Sequence, residues 1–74
     1  MEISLDKKAQ VLRCYCEQLT SSIDNNLPIE ENVFLIKDTL TMLYKGELRK
    51  ILKADSDLHT FLKSFGTFKE LINI

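Results

Sequence analysis

A chain of 74 residues, 45% hydrophobic and 28% charged with a net charge of -1, is expected to form one small domain spanning residues 1–74. At this size folding buries only roughly 60% of the surface that the unfolded chain exposes, so the core is marginal and a disulfide, a metal or a second protein surface must help it. A disulfide is excluded, since Cys14 and Cys16 stand one residue apart, too close for a bridge that staples anything, and a zinc site is not expected, since with His59 they offer neither four ligands nor paired spacing.

The first predicted element runs from Leu5 to Ile23. Leu5, Ala9, Leu12, Cys16, Leu19 and Ile23 advance by alternating steps of four and three, which puts all six side chains on one helical face. Ser4 is the N-cap, because its hydroxyl can accept from an amide that has no partner within the first turn. Asp24-Asn25-Asn26 ends the helix, since Asn tolerates the left-handed conformation and competes for backbone hydrogen bonds.

The second element is predicted as one helix from Pro28 to Lys53. Pro28 suits a first helical turn, and Glu30 and Glu31 follow where the dipole favours negative charge. Ile29, Val33, Ile36, Leu40 and Leu43 form its stripe, continued with a small rotation by Leu48, Ile51 and Leu52. Gly46 is read as a tolerated interior glycine, because Glu47, Arg49, Lys50 and Lys53 show no turn chemistry around it; the alternative is that it ends one helix before a short second one.

The third element covers Ser56 to Ile72. Asp55, Ser56 and Asp57 offer N-caps before a face of Leu58, Phe61, Leu62, Phe65, Phe68 and Ile72. Gly66 can divide it, and Thr67 and Glu70 have capping-box spacing for a short final turn. The two connections are short and favour antiparallel neighbours. The expected fold is therefore an all-α, small antiparallel bundle: a helical hairpin plus a third, C-terminal helix around Leu12, Leu19, Val33, Ile36, Leu40, Ile51, Leu58, Leu62 and Phe65.

The apolar surface exceeds what one partner stripe needs. Val11 and Tyr15 lie about a third of a turn from the stripe of the first helix, while Phe34, Leu35, Met42 and Tyr44 widen that of the second. These six residues are the expected partner-binding face, covered by a copy of the chain or by a different protein, since aromatics and Met carry large, adaptable contact area. Function is then that of a non-enzymatic adaptor, co-chaperone or inhibitor.

The competing expectation is a nucleic-acid regulator. Lys37, Lys45, Arg49 and Lys53 fall at multiples of four with Lys50 beside them, a basic stripe suited to phosphates or to an acidic partner. Ten basic against eleven acidic residues argue against nucleic acid as the main partner. Catalysis lacks support: His59 has no partner motif, Cys16 belongs to the core stripe, and no phosphate loop, metal motif or nucleophile elbow is present. No cofactor and no small-molecule substrate are expected. No stretch approaches the ~18 apolar residues of a membrane span, and Met1 to Lys8 contains no basic segment followed by an apolar run, so a cytoplasmic location is expected. In being small, weakly acidic and helical, the chain resembles in plan the small co-chaperones of type III secretion needle subunits and the helical bacteriocin immunity proteins, a resemblance of size and pattern that carries over no residue.

Overall fold

A computed structural model describes residues 4–72. Five helices follow in order: α1 (Leu5–Asp24), α2 (Glu30–Met42), α3 (Lys45–Ala54), α4 (Ser56–Lys63) and α5 (Gly66–Lys69), with no strand among the described residues. The all-α expectation holds, with α1 packed against α2 and α3, α3 against α4, and α4 against α5.

Capping chemistry sets the ends of α1. The Ser4 hydroxyl accepts from the Lys7 amide at 3.3 Å, satisfying one of the donors that a first turn leaves free. At the other end Asn26 adopts φ 58°, the left-handed conformation expected of this Asn pair, and the Leu27 amide turns back to donate to the Ser22 carbonyl at 2.8 Å. The side chain of Asn32 then donates to Ser22 Oγ at 2.8 Å, fastening the start of α2 to the end of α1. Pro28 lies ahead of α2 and not in its first turn, which opens at Glu30.

The largest departure from expectation is the second helix. It does not run from Pro28 to Lys53 but stops at Met42, and Leu43 and Tyr44 are extended, with ψ 143° and 152°. The reason is the position of the later apolar residues. On an uninterrupted helix turning ~100° per residue, Leu48 and Leu52 would fall roughly 100° and 140° around from the Ile36–Leu40 stripe, facing water. Breaking the helix re-aims the segment, and Leu48, Ile51 and Leu52 are all buried. Gly46 is not the breaker; it lies inside the first turn of α3. The restart is marked instead by Glu47, whose carboxylate accepts from the Tyr44 amide at 3.1 Å, the reverse half of a capping box. Its other oxygen accepts from Lys8 Nζ at 2.7 Å, tying the restart to α1.

Gly46 therefore has a testable role. Its backbone needs no left-handed conformation, and a Cβ built there meets nothing within 4 Å. Gly46→Ala is expected to stabilise the chain by about 0.5–1 kcal/mol, because alanine loses less backbone freedom on entering a helix. Thermal or denaturant melting checks it, and destabilisation would mean that α3 does not begin before residue 46.

Asp55 caps α4, as the Asp55-Ser56-Asp57 cluster anticipates: Oδ1 accepts from the Leu58 amide at 3.1 Å, and Oδ2 accepts from Arg13 on α1 at 3.4 Å. Beyond α4 the chain divides at Phe65–Gly66, but Phe65 and not Thr67 is the N-cap of α5, so the expected Thr67–Glu70 capping box does not form. What secures this end is Phe68, fully buried, with Phe61, Phe65 and Phe68 in successive tilted contacts of 5.0 and 5.6 Å between ring centres. The core joins Ala9, Leu12, Cys16 and Leu19 of α1 to Ile36 and Leu40 of α2, with Leu48, Ile51, Leu52, Leu58, Leu62, Phe68 and Ile72 closing it. Val33 and Phe65, expected at the centre, are half-buried at its margin.

Candidate interaction surfaces

The six residues expected to meet a partner separate into two groups. Tyr15 is half-buried and packs on the core, and Leu35 is half-buried. Val11, Phe34, Met42 and Tyr44 are exposed, the last three at 64%, 74% and 78% of their full surface. Phe34 and Met42 stand on the side of α2 away from its Ile36–Leu40 stripe, and Tyr44 follows in the extended joint between α2 and α3. Phe34 lines a shallow groove of about 390 Å³ whose other walls include Glu30, Lys37 and Asp38.

The basic stripe is reorganised by the helix break. Lys37 is carried on α2 and Lys45, Arg49, Lys50 and Lys53 on α3, so these residues do not share one continuous helix face as the sequence pattern implies. Arg49 and Lys53 instead line one wall of a cleft of about 770 Å³, the largest hollow of the three described for the chain. Lys63 of α4 and Lys69 of α5 line it too, with His59 and Glu70. Its apolar floor comes from Leu52 and Ile72. The cleft thus gathers four of the ten basic residues and one of the eleven acidic ones. Sequence reading missed the contributions of His59, Lys63 and Lys69. The available signal was the i, i+4 pairing of Arg49 with Lys53 and of His59 with Lys63 on two short helices joined by a tight connection.

Two further apolar side chains are exposed near the α1–α2 turn. Ile23, the last member of the α1 stripe, is 45% exposed, and Leu27 at the α1–α2 turn is 56% exposed. Both lie at the turn end of the hairpin, where α1 finishes at Asp24 and α2 has not yet begun.

The two thiols differ in environment. Cys14 is exposed and Cys16 is buried. Burial pushes the Cys16 thiol up from 9.0 to about 12, with the negative charges of Asp55 and Glu17 adding to the shift. The Glu47 carboxyl is held below its ordinary value, chiefly by the hydrogen bond from Lys8 and then by that from the Tyr44 amide. Among the described residues no group of three or more His, Cys, Asp or Glu is placed to hold a metal ion, and no helix is long and apolar enough to cross a membrane. Comparison with family models, curated proteins and solved structures finds no match to this chain.

Proposed function

We propose that this chain is a non-enzymatic protein-interaction module, an adaptor, co-chaperone or inhibitor that presents an apolar helical face to another protein or to itself. The observation that carries the reading is the exposure of Phe34, Met42 and Tyr44 at 64%, 74% and 78% on a chain of 74 residues. Apolar area left in water forgoes about 25 cal/mol per Å² that burial would recover, and large side chains of this kind are typical anchors in protein interfaces. A nucleic-acid regulator ranks second. Its cations are present in the cleft, yet the residues lining that cleft include no Phe, Tyr or Trp on which a base could stack, and the one ring among them is the half-buried His59.

The double substitution Phe34→Asp and Met42→Asp tests this. Its circular dichroism spectrum and melting temperature are expected to match those of the parent chain, because both side chains already face solvent. Self-association in sedimentation at high salt, or capture of a partner from cytosol, is expected to disappear. Tyr15→Asp serves as the contrast and is expected to unfold the chain, since Tyr15 packs on the core. A parent chain that stays monomeric and captures nothing overturns the reading, and so does a double variant that unfolds.

A further inference from the structure

The charge on this molecule is unevenly placed. From residue 14 to residue 36 the chain contains no Lys or Arg, while Glu17, Asp24, Glu30 and Glu31 all fall there. Three of these acids flank the α1–α2 turn, whose Asn25, Asn26, Leu27 and Pro28 are all exposed. The turn is thus an exposed, acidic segment that presents Leu27 and, at the end of α1, Ile23 to solvent. The cleft between α3, α4 and α5 is complementary in charge, with Leu52 and Ile72 below and Arg49, Lys53, Lys63 and Lys69 around the rim. The ion pairs between described residues are Lys8–Glu47 and Arg13–Asp55, and they use none of these charges.

We infer that the acidic α1–α2 turn of one copy docks into the basic α3–α4–α5 cleft of a second copy, with Leu27 on the apolar floor and Asp24, Glu30 and Glu31 against the cationic rim. The two surfaces share no residue, so the contact is head-to-tail: each copy that offers its turn keeps a free cleft, and assembly continues into a ring or an open chain. Charge complementarity and the apolar floor select this occupant. A phosphate backbone would satisfy the rim but brings no side chain for the floor, whereas Leu27 with its three flanking carboxylates meets both requirements. The contact is separate from Phe34, Met42 and Tyr44 and stands or falls apart from the proposed role of that face.

Salt and charge neutralisation test it on the full chain. In sedimentation velocity at about 20 mM salt the mean mass is expected to rise with concentration past that of a dimer, and at about 500 mM salt to return towards the 8.6 kDa monomer. The variants Lys53→Gln with Lys63→Gln, and Glu30→Gln with Glu31→Gln, are each expected to associate about tenfold more weakly alone while keeping the parent helical spectrum. Mixed in equal amounts they retain one intact turn and one intact cleft, so they are expected to form a dimer that does not grow. A chain that remains monomeric at low salt overturns the inference. Association that is the same at about 20 and 500 mM salt and ignores both neutralisations also overturns it, and places self-contact on the Phe34 face. A labelled single strand of about 20 nucleotides bound tightly by monomeric parent chain, and lost with Lys53→Gln and Lys63→Gln, assigns the cleft to nucleic acid and overturns it too.

Discussion

Leu12→Ala is expected to remove about 2–5 kcal/mol of stability, most of what a chain of this size has to lose. Leu12 is fully buried midway along α1 in the cluster formed by all five helices, so the lost methyl groups leave a cavity that no neighbour can fill without moving a helix. Leu40→Ala, on the facing side of the hairpin, belongs to the same class. Two phenylalanines provide an internal control of identical chemistry. Phe68 is fully buried and Phe34 is 64% exposed, so Phe68→Ala is expected to cost about 3–5 kcal/mol and Phe34→Ala within about 0.5 kcal/mol of nothing. Urea denaturation followed by circular dichroism reads all four. Equal midpoints for the two phenylalanine variants would show that the α5 end is not packed as described.

The second large effect is chemical. At neutral pH a maleimide is expected to label Cys14 promptly and to leave Cys16 untouched in the folded chain, because the thiolate is the reactive form and Cys16 is buried with its ionisation pushed up to about 12. Against an ordinary thiol at 9.0, that shift lowers the thiolate fraction on the order of a thousandfold before steric protection is counted. Mass spectrometry should show one adduct in buffer and two in denaturant, and rapid double labelling in buffer would place Cys16 outside the core. The same shift has a defined sign at alkaline pH. The unfolded thiol ionises at 9.0 while the folded one keeps its proton up to about 12. The stability contributed is therefore complete below pH 9 and falls progressively as pH rises towards 12, a decline that Cys16→Ala should remove from the pH profile.

Most of the architecture was legible because it depends on local spacing. The four-three alternation from Leu5 to Leu19 locates the buried face of α1, and Ser4, Asn26 and Asp55 each cap or turn the chain where their side-chain chemistry suits them. The failures come from tertiary demands that one-dimensional patterns do not carry. A run that reads as one helix is broken at Leu43–Tyr44 because Leu48 and Leu52 must turn inward, and the device that restarts it is a carboxylate three residues on, after a tyrosine that is a poor cap by itself. Ile23 belongs to the right stripe but lies past the reach of α2. The cationic cleft was half visible. Arg49 and Lys53 were seen as a face of one helix, whereas their pairing with Lys63 and Lys69 depends on how α4 and α5 fold back, which spacing within a single helix does not encode.

The order of packing also bears on how the chain reaches its native state. Helices that touch are mostly neighbours along the chain, α1 with α2, α3 with α4 and α4 with α5, and α1 with α3 is the principal contact that reaches further back. Loops that must close before such neighbours meet are short, and proteins built this way fold in microseconds to milliseconds. The two ion pairs that span the longest separations, Lys8–Glu47 across 39 residues and Arg13–Asp55 across 42, join the α1–α2 hairpin to the α3–α4 unit. Each half can thus form from its own nearby contacts, and docking of the two halves is the step that carries the entropic cost of the longest closures.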